Sequence, residues 1–288
     1  MGAGCSSADY VDGAHHDSEI RPRLGDIPES CIALILAYLD PPEICKLASL
    51  NRAFRRASTA DFIWDVKSPP NCRFIVEKLF DEKMLLGVCK KDVFARLCRP
   101  NSFDGGTKEL WLDKKSGGVC LSISSKALSI TGIDDRRYWS YIPTEESRFK
   151  AVAYLHQIWW FEVGGELEFN FPAGTYTLLF RLQLGKPSKK RGHRICDLAH
   201  IHGWDIRPVR FQLTTSDGQH AVSQCYLDHP GSWVLYHGGD FVVEDSKKIT
   251  NIKFSAMQID CTHIKCGLCI DSVLIYPTSI AKEIRSIF

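Results

Sequence analysis

The sequence predicts two kinds of unit within 288 residues, a small helical module followed by a larger antiparallel β-sandwich of the jelly-roll class. Three observations predict this. Before residue 68 the apolar residues recur at spacings of three and four, and from residue 107 they alternate with polar residues. Short turn-forming segments separate the alternating stretches. The predicted class is multidomain α + β, with a helical connector between the two units.

The composition is that of a globular protein, with 44% hydrophobic and 24% charged residues. A formal net charge of +2 gives no electrostatic reason to expect nucleic acid as a partner. The longest apolar stretch, residues 31–39, is far shorter than the roughly 20 residues of a membrane helix. The 12 cysteines are scattered through periodic segments. We therefore expect free thiols in a reducing compartment, the cytoplasm or the nucleus.

Residues 1–23 are rich in Ser, Asp, Gly and His without an apolar period, which predicts a disordered leader. The leader opens on Met1-Gly2-Ala3-Gly4-Cys5-Ser6, a pattern that fits myristoylation of Gly2 and palmitoylation of Cys5. Two acyl chains would anchor the protein to a membrane, whereas one holds it only marginally. The alternative is an unmodified polar leader, and only the acylated form predicts membrane association.

Three helices are predicted between residues 24 and 67. Pro28 and Glu29 suit the first turn of the first helix. Its buried face is predicted to carry the apolar residues at helical spacing: Ile32, Ile35, Leu36 and Leu39. The first helix is then expected to stop at Asp40.

Asp40 predicts the start of the second helix, because Asp caps a helix and prolines lose no hydrogen bond in its first turn. The third helix is basic, carries Phe54 on its apolar face and ends near Ser58. Trp64 then returns a large apolar side chain to the bundle. A unit of about forty residues buries little surface, so we expect this module to pack on a partner.

Residues 68–106 are predicted as a helical connector, with an amphipathic helix over 71–98. Residues 107–277 form the predicted sandwich. Its clearest alternating stretches are 121–123, 167–171, 176–184, 209–213 and 252–256. The basic segment 186–194 is predicted to be a solvated loop, with a nuclear-import signal as the alternative. Residues 278–288 are predicted to be a C-terminal tail.

The helical module carries an ordered set of apolar and proline positions: Ile27-Pro28, Ile35, Leu36, Leu39, Asp40-Pro41-Pro42-Glu43-Ile44, Leu47, Asn51-Arg52-Ala53-Phe54-Arg55 and Trp64. This set resembles an F-box, with Ile27 in place of the usual leading Leu. The resemblance implies binding to a Skp-type adaptor, and through it to cullin and RING subunits of a ubiquitin ligase. The residues implied to bind the adaptor are Ile27, Pro28, Ile35, Leu36, Leu39, Pro42, Leu47 and Trp64. The alternative is that they are core residues of a helical hairpin.

The sandwich carries a second set of segments: Cys120-Leu121-Ser122-Ile123-Ser124, Leu128-Ser129-Ile130-Thr131, Tyr138-Trp139, Ser147-Arg148-Phe149, residues 159–165 and Gly203-Trp204-Asp205. These segments resemble the phloem protein 2 domain, the fold of tobacco-type (Nictaba-like) plant lectins, over about 107–277. With the F-box, the architecture resembles A-type phloem protein 2-like F-box proteins of plants.

The lectin resemblance implies binding of a glycan that contains N-acetylglucosamine. Trp139 is the candidate stacking platform, with Tyr138 and Tyr141 beside it, because sugar C–H faces pack on aromatic rings. The family usually has a Trp where this sequence has Gly132, so one stacking surface is missing. The alternative for Trp139 is a core residue.

Two clusters suggest metal sites: His200, His202 and Asp205 for iron, and Cys261, His263, Cys266 and Cys269 for zinc. The first has short spacing, and residues 269–276 are typical of a core strand, so no metal or other cofactor is expected. Neither a phosphate-binding glycine loop nor a nucleophile elbow follows a predicted strand.

The sequence therefore predicts an adaptor without catalytic residues, which recruits a protein or glycoprotein target to a Skp-cullin-F-box type ligase. Its contribution would be proximity, because tethering raises the effective concentration of the target near the transfer machinery. Two alternatives stay open: a lectin that acts independently of the ligase, and a metal-dependent jelly-roll oxygenase.

Overall fold

A helical region precedes the β-structure in the computed structural model, which describes residues 24–81, 87–190 and 193–285. The helices are α1 Glu29–Leu36, α2 Pro41–Leu47, α3 Arg52–Ala57, α4 Asp61–Lys67, α5 Cys72–Leu79, α6 Lys90–Leu97 and α7 Thr278–Arg285. The α + β multidomain class is confirmed. Residues 1–23, with Gly2 and Cys5, lie outside the described residues, so the predicted acylation stays a prediction.

Helix α1 buries a narrower face than the sequence predicted. Ile32, Ala33 and Leu36 point into the bundle, whereas Ile35 is 55% exposed. The reason is helical geometry: successive residues are about 100° apart, so Ile35 lies outside the stripe that Ile32 and Leu36 share. The prediction that Ile35 belongs to the buried face is wrong, and its side chain is on the surface.

The next helices begin and end where local capping predicts. The Asp40 N–H donates to the Glu43 carboxylate (3.2 Å) at the start of α2, and Asn51 Oδ1 accepts from the Phe54 N–H (2.9 Å) at the start of α3. Trp64 lies on a fourth helix, α4, which the three-helix prediction missed. Its indole N–H donates to the Ser58 carbonyl (2.8 Å) and so fixes α4 on the end of α3.

The predicted single connector helix is two helices, α5 and α6, and both join the bundle to the sandwich. Phe94 of α6 lies 5.2 Å from Trp64, and Phe74 of α5 lies 5.5 Å from Phe169 of the sandwich, measured between ring centroids. The Asn71 amide also donates to the Asn170 carbonyl. One apolar core is therefore continuous from the bundle into the sandwich.

Fifteen strands form the β-structure of the described ranges. They are β1 Asn101–Phe103, β2 Lys108–Leu112, β3 Val119–Ser124, β4 Ser129–Ile130, β5 Trp139–Pro143, β6 Ala151–Leu155, β7 Phe161–Phe169, β8 Gly174–Leu184, β9 Lys186–Lys190, β10 His193–Asp197, β11 Val209–Thr215, β12 His220–Cys225, β13 Trp233–Val243, β14 Thr250–Gln258 and β15 Leu268–Pro277. The β-structure thus begins at Asn101, earlier than residue 107 where alternation became visible.

Two antiparallel sheets pack face to face. The large sheet runs β1-β2-β3-β15-β6-β5, with β8 on the other side of β15 and β13 beyond β8. The small sheet runs β12-β11-β14-β7-β4. Phe180 of β8 meets Phe211 of β11, with 5.2 Å between ring centroids. The antiparallel sandwich is confirmed, since alternating residues of both sheets fill one core.

Strand β15 is the centre of the large sheet. One edge pairs with β8, and the other pairs first with β6 and then with β3. Its register against β8 shifts between Ile270 and Ser272, which marks a β-bulge at Asp271. The polar side chain of Asp271 is buried against Arg181 as a result.

Two segments that were predicted to lack regular secondary structure contain a strand pair and a helix. Of the basic segment 186–194, residues 186–190 and 193–194 lie in the paired strands β9 and β10, so the prediction of a loop is wrong for these residues. The predicted tail begins with α7, which packs its Ala281 against Leu179 and Leu274 on the outer face of the large sheet. The tail prediction failed because part of the surface that α7 packs against, Leu179 of β8, is distant from it in the sequence.

Every cysteine of the described ranges is a free thiol, from the buried Cys120 and Cys269 to the exposed Cys31. None of the helices in these ranges combines the length and the hydrophobicity that a membrane span requires.

Candidate functional sites

The helical bundle exposes large apolar side chains. Tyr38 is 90% exposed, and Val66 of α4 is 75% exposed. The other exposed apolar residues of the bundle are Leu24, Leu34, Ile35, Leu50 and Phe62. Scattered exposed apolar residues are ordinary, but this many in so small a unit make the bundle a candidate binding surface. We call these seven residues the apolar bundle surface.

The residues predicted to bind the adaptor fall into three groups. Ile35, Pro28 and Pro42 are exposed, and Ile27, Leu39 and Leu47 are half-buried. Leu36 and Trp64 are in the core, Trp64 with only 1% of its surface exposed. In this conformation these two support the bundle and do not reach a partner, because their side chains fill the space between the helices.

Sequence reasoning missed most of the apolar bundle surface. Six of its seven residues were not among the predicted adaptor-binding residues: Leu24, Leu34, Tyr38, Leu50, Phe62 and Val66. A signal was present: Leu34 and Tyr38 are apolar but fall outside the core stripe of α1, where a solvated face would be polar.

The three residues predicted to bind a glycan differ in their exposure. Trp139, the first residue of β5, is 1% exposed, and its indole N–H donates to the Thr131 carbonyl (3.0 Å). Of its two interpretations, core packing is therefore the one that the geometry supports. Tyr138 is half-buried under the Arg137 guanidinium, and Tyr141 is exposed with Lys126 5.9 Å from its ring centroid.

Gly132 is built into this arrangement. Its φ is +77°, and a Cβ at this position would lie 3.1 Å from Tyr138 Cδ2. A larger residue would therefore need both a left-handed backbone and a displaced Tyr138 ring. Tyr138 and Tyr141 stay predicted glycan residues, but Trp139 offers no ring face.

The candidate metal ligands do not form a compact site. Within the described ranges, no group of three or more His, Cys, Asp or Glu side chains is close enough to hold a metal ion. His263 has both ring nitrogens in hydrogen bonds, Nδ1 with Thr262 Oγ1 (2.8 Å) and Nε2 with the Gly203 carbonyl (2.9 Å). Cys269 is buried in β15, where burial raises the pKa of its thiol.

Comparison with known proteins agrees with both resemblances. The F-box domain family matches residues 24–65, and the phloem protein 2 family matches residues 118–277. The Arabidopsis thaliana F-box protein PP2-A13 is 66% identical over 263 residues, which cover 91% of each chain. F-box protein PP2-A11 of the same plant is 57% identical, and the match covers 93% of each chain.

A further Arabidopsis relative, F-box protein PP2-A12, is 56% identical over 92% of this chain and 91% of its own length. These matches extend across both the helical region and the sandwich, so they relate the whole architecture rather than one domain. The chain belongs to the family of F-box proteins that carry a phloem protein 2 domain.

Proposed function

We propose that this protein is the substrate-recognition subunit of a Skp-cullin-F-box type ubiquitin ligase. An F-box domain implies a Skp-type partner, and the observation that carries the proposal is the apolar bundle surface on that domain. The sandwich would hold a protein or glycoprotein target while the cullin and RING subunits organise ubiquitin transfer. The chain itself would contribute proximity and no catalytic step.

The experiment is adaptor binding by an Ile35→Asp variant of the full chain. Ile35 is exposed in the free protein, so the substitution leaves the core intact but would bury a charge in the complex. We expect the adaptor affinity to fall at least about 100-fold, or roughly 3 kcal/mol. The matched control is Ile249→Asp, an exposed Ile on the sandwich, which should bind the adaptor like the wild type.

Circular dichroism and thermal melting of both variants would establish that they fold. Unchanged adaptor binding by a folded Ile35→Asp protein would contradict the proposal. Ubiquitination of captured proteins in a reconstituted ligase, lost in the same variant, is the functional readout.

The subunit would act in the cytoplasm or nucleus, with membrane attachment only if Gly2 and Cys5 are acylated. Myristate labelling of the wild type and of Gly2→Ala tests the attachment.

Glycan recognition through Tyr138 and Tyr141 remains a prediction of the lectin resemblance, and a glycan array probed with the full chain tests it. The burial of Trp139 removes one of the three residues predicted to contact a glycan.

A further inference from the structure

A cavity of about 550 Å³ lies at the junction between the F-box and the sandwich. Residues 66–70, at the end of α4 and just after it, form one part of its lining. The other parts are residues 116–119, 172–176 and 277–279, which belong to the sandwich and to the start of α7. None of these positions is among the predicted adaptor-binding or glycan residues. Cavities of roughly 300–1,000 Å³ are large enough to hold a ligand.

Contacts within the chain hold the walls of this junction cavity in place. The Gly117 N–H donates to the Asp113 carbonyl (2.9 Å), which closes the turn between β2 and β3. That turn lies directly against the end of α4, where a Cβ at Gly117 would collide with the Lys67 carbonyl. In another wall, the Tyr176 hydroxyl donates to the Pro172 carbonyl (3.0 Å). A partner would thus meet walls that are already ordered, which lowers the entropic cost of binding.

The lining of the junction cavity is almost free of charge. Among the described residues that form it, Lys67 alone carries a side chain that is charged at neutral pH. The others are mainly proline, glycine, valine, alanine, serine and threonine. Taking an ionised side chain out of water is costly unless it is paired, so this lining favours an uncharged and mainly apolar occupant.

The junction cavity is continuous with the apolar bundle surface. Phe62 and Val66 are 44% and 75% exposed, and they lie four residues apart on α4. This spacing places them on one face of the helix. Val66 is both a member of the apolar bundle surface and a part of the cavity lining. A partner that covers the exposed apolar residues as far as Val66 therefore reaches the cavity.

We propose that the Skp-type adaptor inserts an uncharged, mainly apolar segment into the junction cavity, so that the sandwich forms part of the adaptor-binding surface. This inference rests on the proposed function, because it extends the adaptor contact from the F-box to the sandwich. The bound adaptor contacts both units of the chain at once. That double contact fixes the direction in which the sandwich presents a target to the ligase.

The test is the affinity of purified adaptor for full-chain variants that carry an arginine in the sandwich wall of the cavity. Ala173 and Thr175 line the cavity and are exposed, so an arginine at either position leaves the core intact. We expect Ala173→Arg and Thr175→Arg each to weaken adaptor binding at least about tenfold, because each would bury a charge in the contact. Val66 is unsuitable for this test, since it belongs to both surfaces.

Matched controls place the same changes elsewhere on the sandwich. Ala199 and Thr214 are also exposed and lie outside the cavity, so Ala199→Arg and Thr214→Arg should bind the adaptor like the wild type. Circular dichroism and thermal melting establish that all four variants fold. Wild-type adaptor affinity in the folded Ala173→Arg and Thr175→Arg proteins would overturn the proposal.

Photo-crosslinking locates the contact directly. A benzophenone side chain introduced at position 173 of the full chain should cross-link to the purified adaptor, whereas one at position 199 should not. Mass spectrometry identifies the cross-linked segment of the adaptor, which we expect to be apolar. A cross-link from position 173 to a second copy of the chain, with none to the adaptor, would contradict the assignment of the cavity.

The outcome is separable from that of the proposed function. Loss of adaptor binding in Ile35→Asp, with unchanged binding by Ala173→Arg and Thr175→Arg, would refute the role of the cavity and leave the ligase role standing. Weaker binding in all three variants would support both. Absence of any adaptor binding by the wild type would refute the proposed function itself, and the inference with it.

Discussion

Trp64→Ala tests whether the F-box and the sandwich unfold as one unit. The side chain is 1% exposed, its N–H is bonded to the Ser58 carbonyl at 2.8 Å, and its ring lies 5.2 Å from Phe94. Truncating a buried Trp costs about 3–5 kcal/mol through the lost contacts and the cavity left behind. The lost hydrogen bond adds to this, because the buried carbonyl loses a donor.

In a chain of this size, each kcal/mol lowers the melting temperature by about 2 °C, so the expected shift is roughly 6–10 °C. Because the apolar core is continuous from Trp64 through Phe94 and Phe74 to Phe169, we expect a single calorimetric transition that moves as a whole. Trp159→Ala is the matched control. Trp159 is 51% exposed, and its truncation should shift the transition by no more than about 2 °C.

Hydrogen exchange provides the second readout. In Trp64→Ala, amides of the sandwich strands should exchange faster under conditions where global opening dominates. A separate early transition, with sandwich protection and melting unchanged, would refute the reasoning and show that the F-box is an independent folding unit.

Two further predictions concern backbone packing and thiols. Gly117 has φ +68°, and a Cβ there would collide with the Lys67 carbonyl. In urea unfolding, Gly117→Ala should therefore lower the free energy of unfolding by more than about 1–2 kcal/mol. Gly218→Ala is the control: it lies in open space but also at positive φ, so it should cost only the free energy of placing Ala in that backbone conformation. Burial raises the pKa of the Cys120 thiol, so little of it is thiolate at neutral pH, and an alkylating reagent should modify the exposed Cys31 much faster. Mass spectrometry of partially alkylated protein measures this, and early modification of Cys120 in folded protein would contradict it.

Local sequence patterns predicted most of the element types. The joint at Asp40 was visible because capping and proline geometry depend on adjacent residues. Alternation located strands such as β8 and β14, since one face of each is buried. The register shift at Asp271 was not visible, because a bulge depends on the partner strand as well as on the bulged one.

Burial of individual aromatic and apolar residues was the least predictable property. Periodicity placed Ile35 inside, and the structure exposes it. The lectin resemblance left Trp139 open between a sugar platform and a core residue, and the structure buries it. Ile35 was misplaced because a short apolar run on a helix is compatible with more than one buried face. Trp139 packs inward because the Thr131 carbonyl accepts its indole N–H.

The sequence alone determined the order of the domains, the F-box and phloem protein 2 motifs, and the free-thiol character of the chain, because these depend on composition and on residues close together. Only the tertiary structure decided which apolar side chains of the bundle stay exposed and that Arg181 forms a salt bridge with the buried Asp271. The exposure of the apolar side chains depends on how the helices of the bundle pack on one another. The salt bridge depends on the strands β8 and β15, which are far apart in the chain and become neighbours only when the sheet forms.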